Sequence, residues 1–159
     1  MKKKLYIIIL IAGSLAGSAL AQDKNGDLAI IVAKTSTLDS LSSEELHRVF
    51  LEEKAKDPDG HRFVIIMRES GSPENTAALA SIYKFDAGEY DTYFLRAVFA
   101  GRATGKPQQL NGSSAVRQFV AATPGAIGYV RASEVDDSLK VVKVDGKSPG
   151  DAGYSLKIK

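Results

Sequence analysis

Two short runs of uninterrupted apolar residues, Leu28 to Ala33 (LAIIVA) and Phe63 to Met67 (FVIIM), each lead into a polar stretch that opens a helix. A strand without polar alternation is buried on both faces, so the chain must build layers above and below a sheet. After the first run, Ser42 and Glu45 stand at capping-box spacing, and Leu41 and Leu46 at staple spacing. Leu46, Val49 and Phe50 then mark an inner helix face. The segment Asp57-Pro58-Asp59-Gly60 reads as a turn. After the second run, Ser72 suits an N-cap and Pro73 the first helical position. That helix is expected to reach about Phe85 and to stop at Asp86-Ala87-Gly88.

A third helix is expected over Tyr90 to Ala100, with Phe94, Ala97 and Val98 on its apolar face and Gly101 as its stop. Gly101 to Gly112 reads as a loop. Ser113 or Ser114 is expected to cap a fourth helix, with Val116, Phe119 and Val120 inward and Thr123-Pro124-Gly125 as its end. Ala126 to Arg131 and Leu139 to Val144 read as strands, and Tyr154, Leu156 and Ile158 alternate as in a final half-exposed strand. This alternation predicts one α/β domain, a parallel or mixed sheet flanked by helices.

The N-terminus has a different character. Lys2, Lys3 and Lys4 precede the apolar run Leu5 to Ala12, which leads to Ala19-Leu20-Ala21. This is the pattern of a secretory signal peptide, cleaved after Ala21 or kept as an anchor. Residues 22–27 then form a polar, flexible lead-in and residues 28–159 the domain. The leader removes three lysines and no acid from totals of 21 Lys+Arg and 19 Asp+Glu, leaving a charge of −1. A chain so close to neutrality lacks the basic footprint of a nucleic-acid binder. It contains no cysteine, which excludes disulfides, a thiol nucleophile and cysteine-ligated metals.

Ligands of open α/β sheets gather beyond the carboxyl ends of the strands. Arg68 to Ser72 is such a place. The turn exposes N–H groups at a helix start, Ser70 and Ser72 offer hydroxyls, Gly71 lets the backbone approach, and Arg68 supplies a guanidinium fork. An anion would suit these groups; so would plain capping by Ser72 beside a solvated arginine. Thr35 and Ser36 after the first strand, and Ser113 before the fourth helix, are additional candidates for anion contact. His47 and His61 lack a second metal-type residue at ligand spacing, so no metal or other cofactor is expected. No nucleophile–base pair, phosphate loop or dinucleotide fingerprint is present, so an enzyme is not expected.

Several segments resemble periplasmic phosphate-binding proteins of ABC transporters. Thr123 to Val130 (TPGAIGYV) is similar to a segment of that family. So are Leu41 to Leu46 with Val49-Phe50-Leu51, Asp59-Gly60, Phe63 to Ser72 with its R-x-x-G-S ending, and Val98 to Gly101 with Pro107. Their order agrees over roughly Leu28 to Val144. The resemblance implies a single periplasmic-binding-protein-like lobe in the periplasm, with a mixed, mostly parallel sheet. It implies an anion loop at Arg68, Ser70, Gly71 and Ser72, phosphate or a similar oxyanion as ligand, and a membrane permease or sensor as partner. An oligomer that supplies a second wall is compatible with it. Ser70 stands where the family has aspartate, and Pro73-Glu74 where it has Gly-Thr. Pro73 lacks an N–H donor, and Glu74 brings negative charge to the place of an anion. A charge-assisted hydrogen bond contributes about 1.5 kcal/mol at the weak end, and about −4 kcal/mol corresponds to 1 mM. Weak phosphate binding is therefore expected. The alternative is an interaction or sensory protein that kept the lobe and lost tight anion binding.

Overall fold

In the computed structural model, which describes residues 26–159, all six strands join one sheet; the leader and most of the lead-in lie outside the described residues. In chain order the elements are β1 (Leu28–Ala33), β2 (Ser40–Leu41), α1 (Ser43–Phe50), β3 (Val64–Arg68), α2 (Pro73–Ala78), α3 (Ala87–Phe99), β4 (Gln108–Leu110), α4 (Ser113–Ala122), β5 (Ala126–Arg131) and β6 (Leu139–Val144). A π turn, Leu79–Tyr83, prolongs α2, and a 3-10 turn, Ala132–Glu134, follows β5.

The strand order is β2-β6-β1-β5-β3-β4. β1 is antiparallel to both neighbours, while the other neighbouring pairs are parallel. Five strands therefore run one way and β1 runs against them. The sheet is mixed and mostly parallel, as the alternation of apolar runs and helix starts predicts. It also follows that the end of β1 lies beside the beginnings of β5 and β6.

Period-two side chains sort the core into two layers. Leu28, Ile30 and Val32 of β1 pack with Ile65, Met67, Ile127 and Tyr129 beneath α1, α2 and α3. Ala29 and Ile31 face the other way with Ile66, Ala126 and Val130, beneath Val116 and Val120 of α4. On the first face Tyr83, Tyr90 and Phe94 pack ring against ring, with centroids 4.8 to 6.3 Å apart. The Tyr83 and Tyr90 hydroxyls both donate to the Met67 sulfur at 3.2 Å. Aromatic pairs of this kind add about 0.5–1.5 kcal/mol beyond area burial.

Local signals hold at α1, where the Ser42–Glu45 capping box is complete, and at α2, where Ser72 caps and Pro73 opens the helix. Others are overridden. Asp86 does not stop a helix but starts α3, in a second capping box with Glu89. Lys84, left-handed at φ 57°, ends the previous helix instead. Val98 is exposed rather than inward. The stretch from Gly101 to Gly112 contains β4, a short polar edge strand parallel to β3. Neither Ser113 nor Ser114 caps α4; Gly112 holds that position with no side-chain hydrogen bond.

The C-terminal segment is not a strand. It makes one isolated bridge, Asp27 to Lys157, with Leu28 N–H donating to the Leu156 carbonyl at 2.9 Å and Tyr154 Oη to the Leu28 carbonyl at 2.7 Å. Tyr154 and Leu156 are buried, so the segment closes the core beside the start of β1. Asp27 is buried too, its carboxylate held by Lys157 and the Gly150 N–H. Asp27 thus packs against the C-terminal segment.

Candidate functional site: an arginine loop filled by carboxylates

The parallel strands β3, β4 and β5 end together, bringing Arg68, Leu110 and Arg131 to one edge of the sheet. Gly71 turns the chain there with φ of +84°, a left-handed conformation that costs glycine little. Ser72 Oγ accepts from the Asn75 N–H at 3.1 Å and donates to the Glu69 carbonyl at 2.9 Å. Buried Asn75 fixes the loop from below, donating to the Arg68 carbonyl at 3.1 Å and to Tyr129 Oη at 3.3 Å.

The Arg68 guanidinium is already engaged by this chain's own acids. Its Nε and Nη2 donate to the two Glu69 oxygens at 2.8 and 2.9 Å, a bidentate pair. Its Nη1 lies 3.5 Å from Glu74 Oε2. Buried Glu74 also accepts from Arg131 Nε and Nη2 at 3.0 and 2.7 Å. Glu69 Oε2 accepts in addition from the Gly112 N–H at 3.1 Å, at the start of α4. An arginine fork and a helix-start N–H are groups that hold an oxyanion in solution-facing sites. Here they hold a side-chain carboxylate.

The Arg68 hydrogen bonds, followed by the Gly112 N–H, pull the Glu69 carboxyl down to about 2, and the same pairing raises Arg68. A carboxyl depressed in the folded state stabilises fully above its ordinary value of 4.5, and that contribution is lost as pH falls toward 2. Glu69 is about one-third exposed, so solvent screening reduces the contribution to about 1 kcal/mol. Unfolding free energies from urea titrations should fall more between pH 5 and pH 2 for the unmodified chain than for Glu69→Gln, by about that amount. Equal slopes would show that the pair carries no stability.

The remaining candidates are not gathered at this point. Ser70 is exposed and borders a cleft of about 460 Å³ lined by Met67, Asn75, Tyr90 and Gln109, of which Arg68 is not a wall. Ser113 lies on the right edge, but its hydroxyl donates to Glu134 Oε1 at 2.8 Å. Glu134 Oε2 is buried with no hydrogen-bond partner, and its charge also acts on Arg68. Thr35 and Ser36 follow β1, and because β1 runs backwards they lie at the opposite end of the sheet, beside Pro124 and Gly125. Ser36 and Thr37 hydroxyls donate there to Asp59.

Asp59 belongs to a group that sequence spacing failed to signal: Asp57, Asp59 and His61 each bring one donor atom within 4.8 Å of the others. Their hydrogen bonds to each other and to the Ser36–Thr37 loop account for the arrangement as a turn brace. Arg131 and Asn75 were equally invisible as site residues. Only the parallel pairing of β3 with β5 brings Arg131 to Glu74.

The mixed sheet with helices on both faces matches the periplasmic-binding-protein-like fold. No family model matches the chain. Among solved structures it is similar to a protein from Clostridium perfringens, assigned as a phosphate ABC transporter substrate-binding protein and holding bound phosphate. The two are 25% identical with a TM-score of 0.63, over 78% of this chain and 47% of that one. An ABC-type phosphate transport receptor from Vibrio cholerae has the same TM-score at 17% identity, over 78% of this chain and 48% of that one. PstS from Borrelia burgdorferi also scores 0.63, at 16% identity, over 83% of this chain and 54% of that one. The first two of these structures are described as phosphate-transport binding proteins, and the chain spans about half the length of all three.

Proposed function

We propose that this chain is an extracytoplasmic solute-binding lobe that meets phosphate or a similar oxyanion weakly at the loop of Arg68, Gly71 and Ser72, with Ser70 on the neighbouring cleft. On this reading it is exported by a cleaved leader and serves phosphate ABC transport or sensing beside a membrane permease or sensor. The observation that carries it is the Arg68 loop itself, kept at the carboxyl edge of a phosphate-binding-type lobe but occupied by Glu69 and Glu74. An incoming oxyanion must displace Glu69 from both the fork and the Gly112 N–H. Binding at the loop is a matter of charge exchange, with no nucleophile or base required.

A thermal melt with phosphate, and sulfate as control, tests this. With a dissociation constant near 1 mM, 10 mM phosphate adds about 1.4 kcal/mol, which at about 3–4 °C per kcal/mol is a rise near 5 °C. The rise should be selective for phosphate and absent in Arg68→Ala. A rise beyond about 10 °C at 1 mM phosphate would contradict weak binding. The second reading, an interaction or sensory protein without anion binding, is favoured by the bidentate Arg68–Glu69 pair, and no shift at 10 mM would select it.

A further inference from the structure

Asn75 is 2% exposed, and half of its amide is unpaired. Its Nδ2 donates to the Arg68 carbonyl at 3.1 Å and to Tyr129 Oη at 3.3 Å. A flipped amide would set Oδ1 against the Arg68 carbonyl, acceptor against acceptor, so the orientation is fixed. Oδ1 is left over and accepts from no group among the described residues. Nor is it sealed in, since the enclosed side-chain atoms without partners are Arg117 Nε and Glu134 Oε2. Asn75 lines the cleft of about 460 Å³ between α2, α3 and β4, so Oδ1 opens there. A buried amide oxygen without a donor is unfavourable, and the group that relieves it must come from outside the chain.

The other walls limit what carries that donor. Met67 and Tyr90 line the cleft too, and the Tyr90 hydroxyl gives its proton to the Met67 sulfur at 3.2 Å. The buried part of the wall thus offers acceptors and no free donor. Leu79 and Pro107 add apolar sides. The exposed charges that border it, Asp91 and Lys106, neutralise each other across 2.6 Å. An oxyanion brings only acceptors to such a wall, and an ammonium gives up its water for a neutral oxygen. An uncharged N–H or O–H on an apolar body meets neither obstacle. The volume is that of a small-molecule pocket, roughly 300–1,000 Å³.

We propose that this cleft binds a small uncharged molecule whose amide or hydroxyl group donates to Asn75 Oδ1 while its apolar body lies against Leu79 and Pro107. The site is separate from the arginine loop, because Arg68 is not among its walls. The two places favour opposite chemistry, an anion at the loop and a neutral donor in the cleft, so each reading survives the failure of the other.

Three compounds of nearly one shape test it: benzamide, acetophenone, in which a methyl group replaces the amide nitrogen, and benzoate, in which a charged oxygen does. Each is titrated into the isotope-labelled chain and followed by backbone amide chemical shifts. Benzamide should move the amides of Ser70, Leu79, Ala87 and Gln109 saturably, with a dissociation constant of roughly 1–10 mM, in keeping with so few atoms. Acetophenone should bind about tenfold more weakly, since it leaves Oδ1 unpaired, and benzoate should not move these amides. Inorganic phosphate should not displace benzamide, whatever it does at Gly71 and Gly112. Ala87→Trp places a large ring at the exposed start of α3, where Ala87 borders the cleft. It should keep its far-UV circular dichroism and lose the benzamide shifts. No saturable shift up to about 30 mM benzamide, equal binding of acetophenone or benzoate, displacement by phosphate, or benzamide shifts retained in Ala87→Trp would each overturn the proposal.

Discussion

Replacing Glu74 by Gln should lower the melting temperature by about 10 °C and enlarge the chain's response to phosphate. Glu74 is 5% exposed and lies between Arg131 and Arg68. Gln keeps its size and removes its charge, leaving two guanidinium groups with Glu69 as the principal counter-charge. Removing one partner of a buried ion pair costs about 3–5 kcal/mol. The lower end applies because Arg131 retains some solvent, and about 3 kcal/mol corresponds to roughly 10 °C at this chain length. A free oxyanion then supplies the missing charge, so 10 mM phosphate should recover part of the loss in the variant. A Glu74→Gln chain as stable as the original, or one indifferent to phosphate, would mean that the network does not occupy an anion position.

The second large effect is expected at Gly125, in the turn before β5. Its φ is +80°, and a Cβ built there would lie 2.4 Å from the Arg62 carbonyl oxygen. The obstacle is backbone, so no rotamer change relieves it. Left-handed strain costs about 1–3 kcal/mol, and forced displacement adds about 1–3 kcal/mol. Gly125→Ala should therefore lose about 2–6 kcal/mol in urea unfolding. Gly60→Ala separates the two causes: φ there is +87° but nothing lies within 4 Å, so only the conformational part should appear. Equal losses at both positions would remove the close approach from the account. Both glycines of the Pro-Gly-Ala-Ile-Gly segment have a physical reason, since a Cβ at Gly128 would meet the Ile66 carbonyl at 2.9 Å.

What the sequence made legible follows the range of the forces involved. β1 and β5 and the caps of α1 and α2 depend on residues within four positions, and these were readable. β4 was not, because Gln108 and Gln109 are exposed on an edge strand held by pairing to β3. The direction of β1 was not readable either, since an apolar run is the same in both senses. That direction removes Thr35 and Ser36 from the Arg68 edge. Val98 shows a related limit: helical spacing places it within an arc, and only the packing of Tyr90, Phe94 and Ala97 decides which side of that arc is buried.

At the candidate site, Arg68, Ser70, Gly71 and Ser72 were named from loop chemistry and resemblance, and Glu74 was flagged as a charge at the place of an anion. Glu69 was passed over. Adjacent residues on a strand point to opposite faces, so an Arg-Glu neighbour pair does not ordinarily meet. The turn after β3 and the start of α4 let it do so. Arg131 is 57 residues from Glu74, a distance that only the sheet order closes.

We propose that this lobe's arginine loop, occupied by its own carboxylates, binds phosphate weakly. Calorimetric titration of phosphate into the purified chain and into Glu69→Gln tests it most directly. The expected result is a dissociation constant near 1 mM or weaker for the unmodified chain and about tenfold tighter binding by the variant, both lost with Arg68→Ala. Micromolar phosphate binding by the unmodified chain, unchanged or weakened in Glu69→Gln, would contradict it.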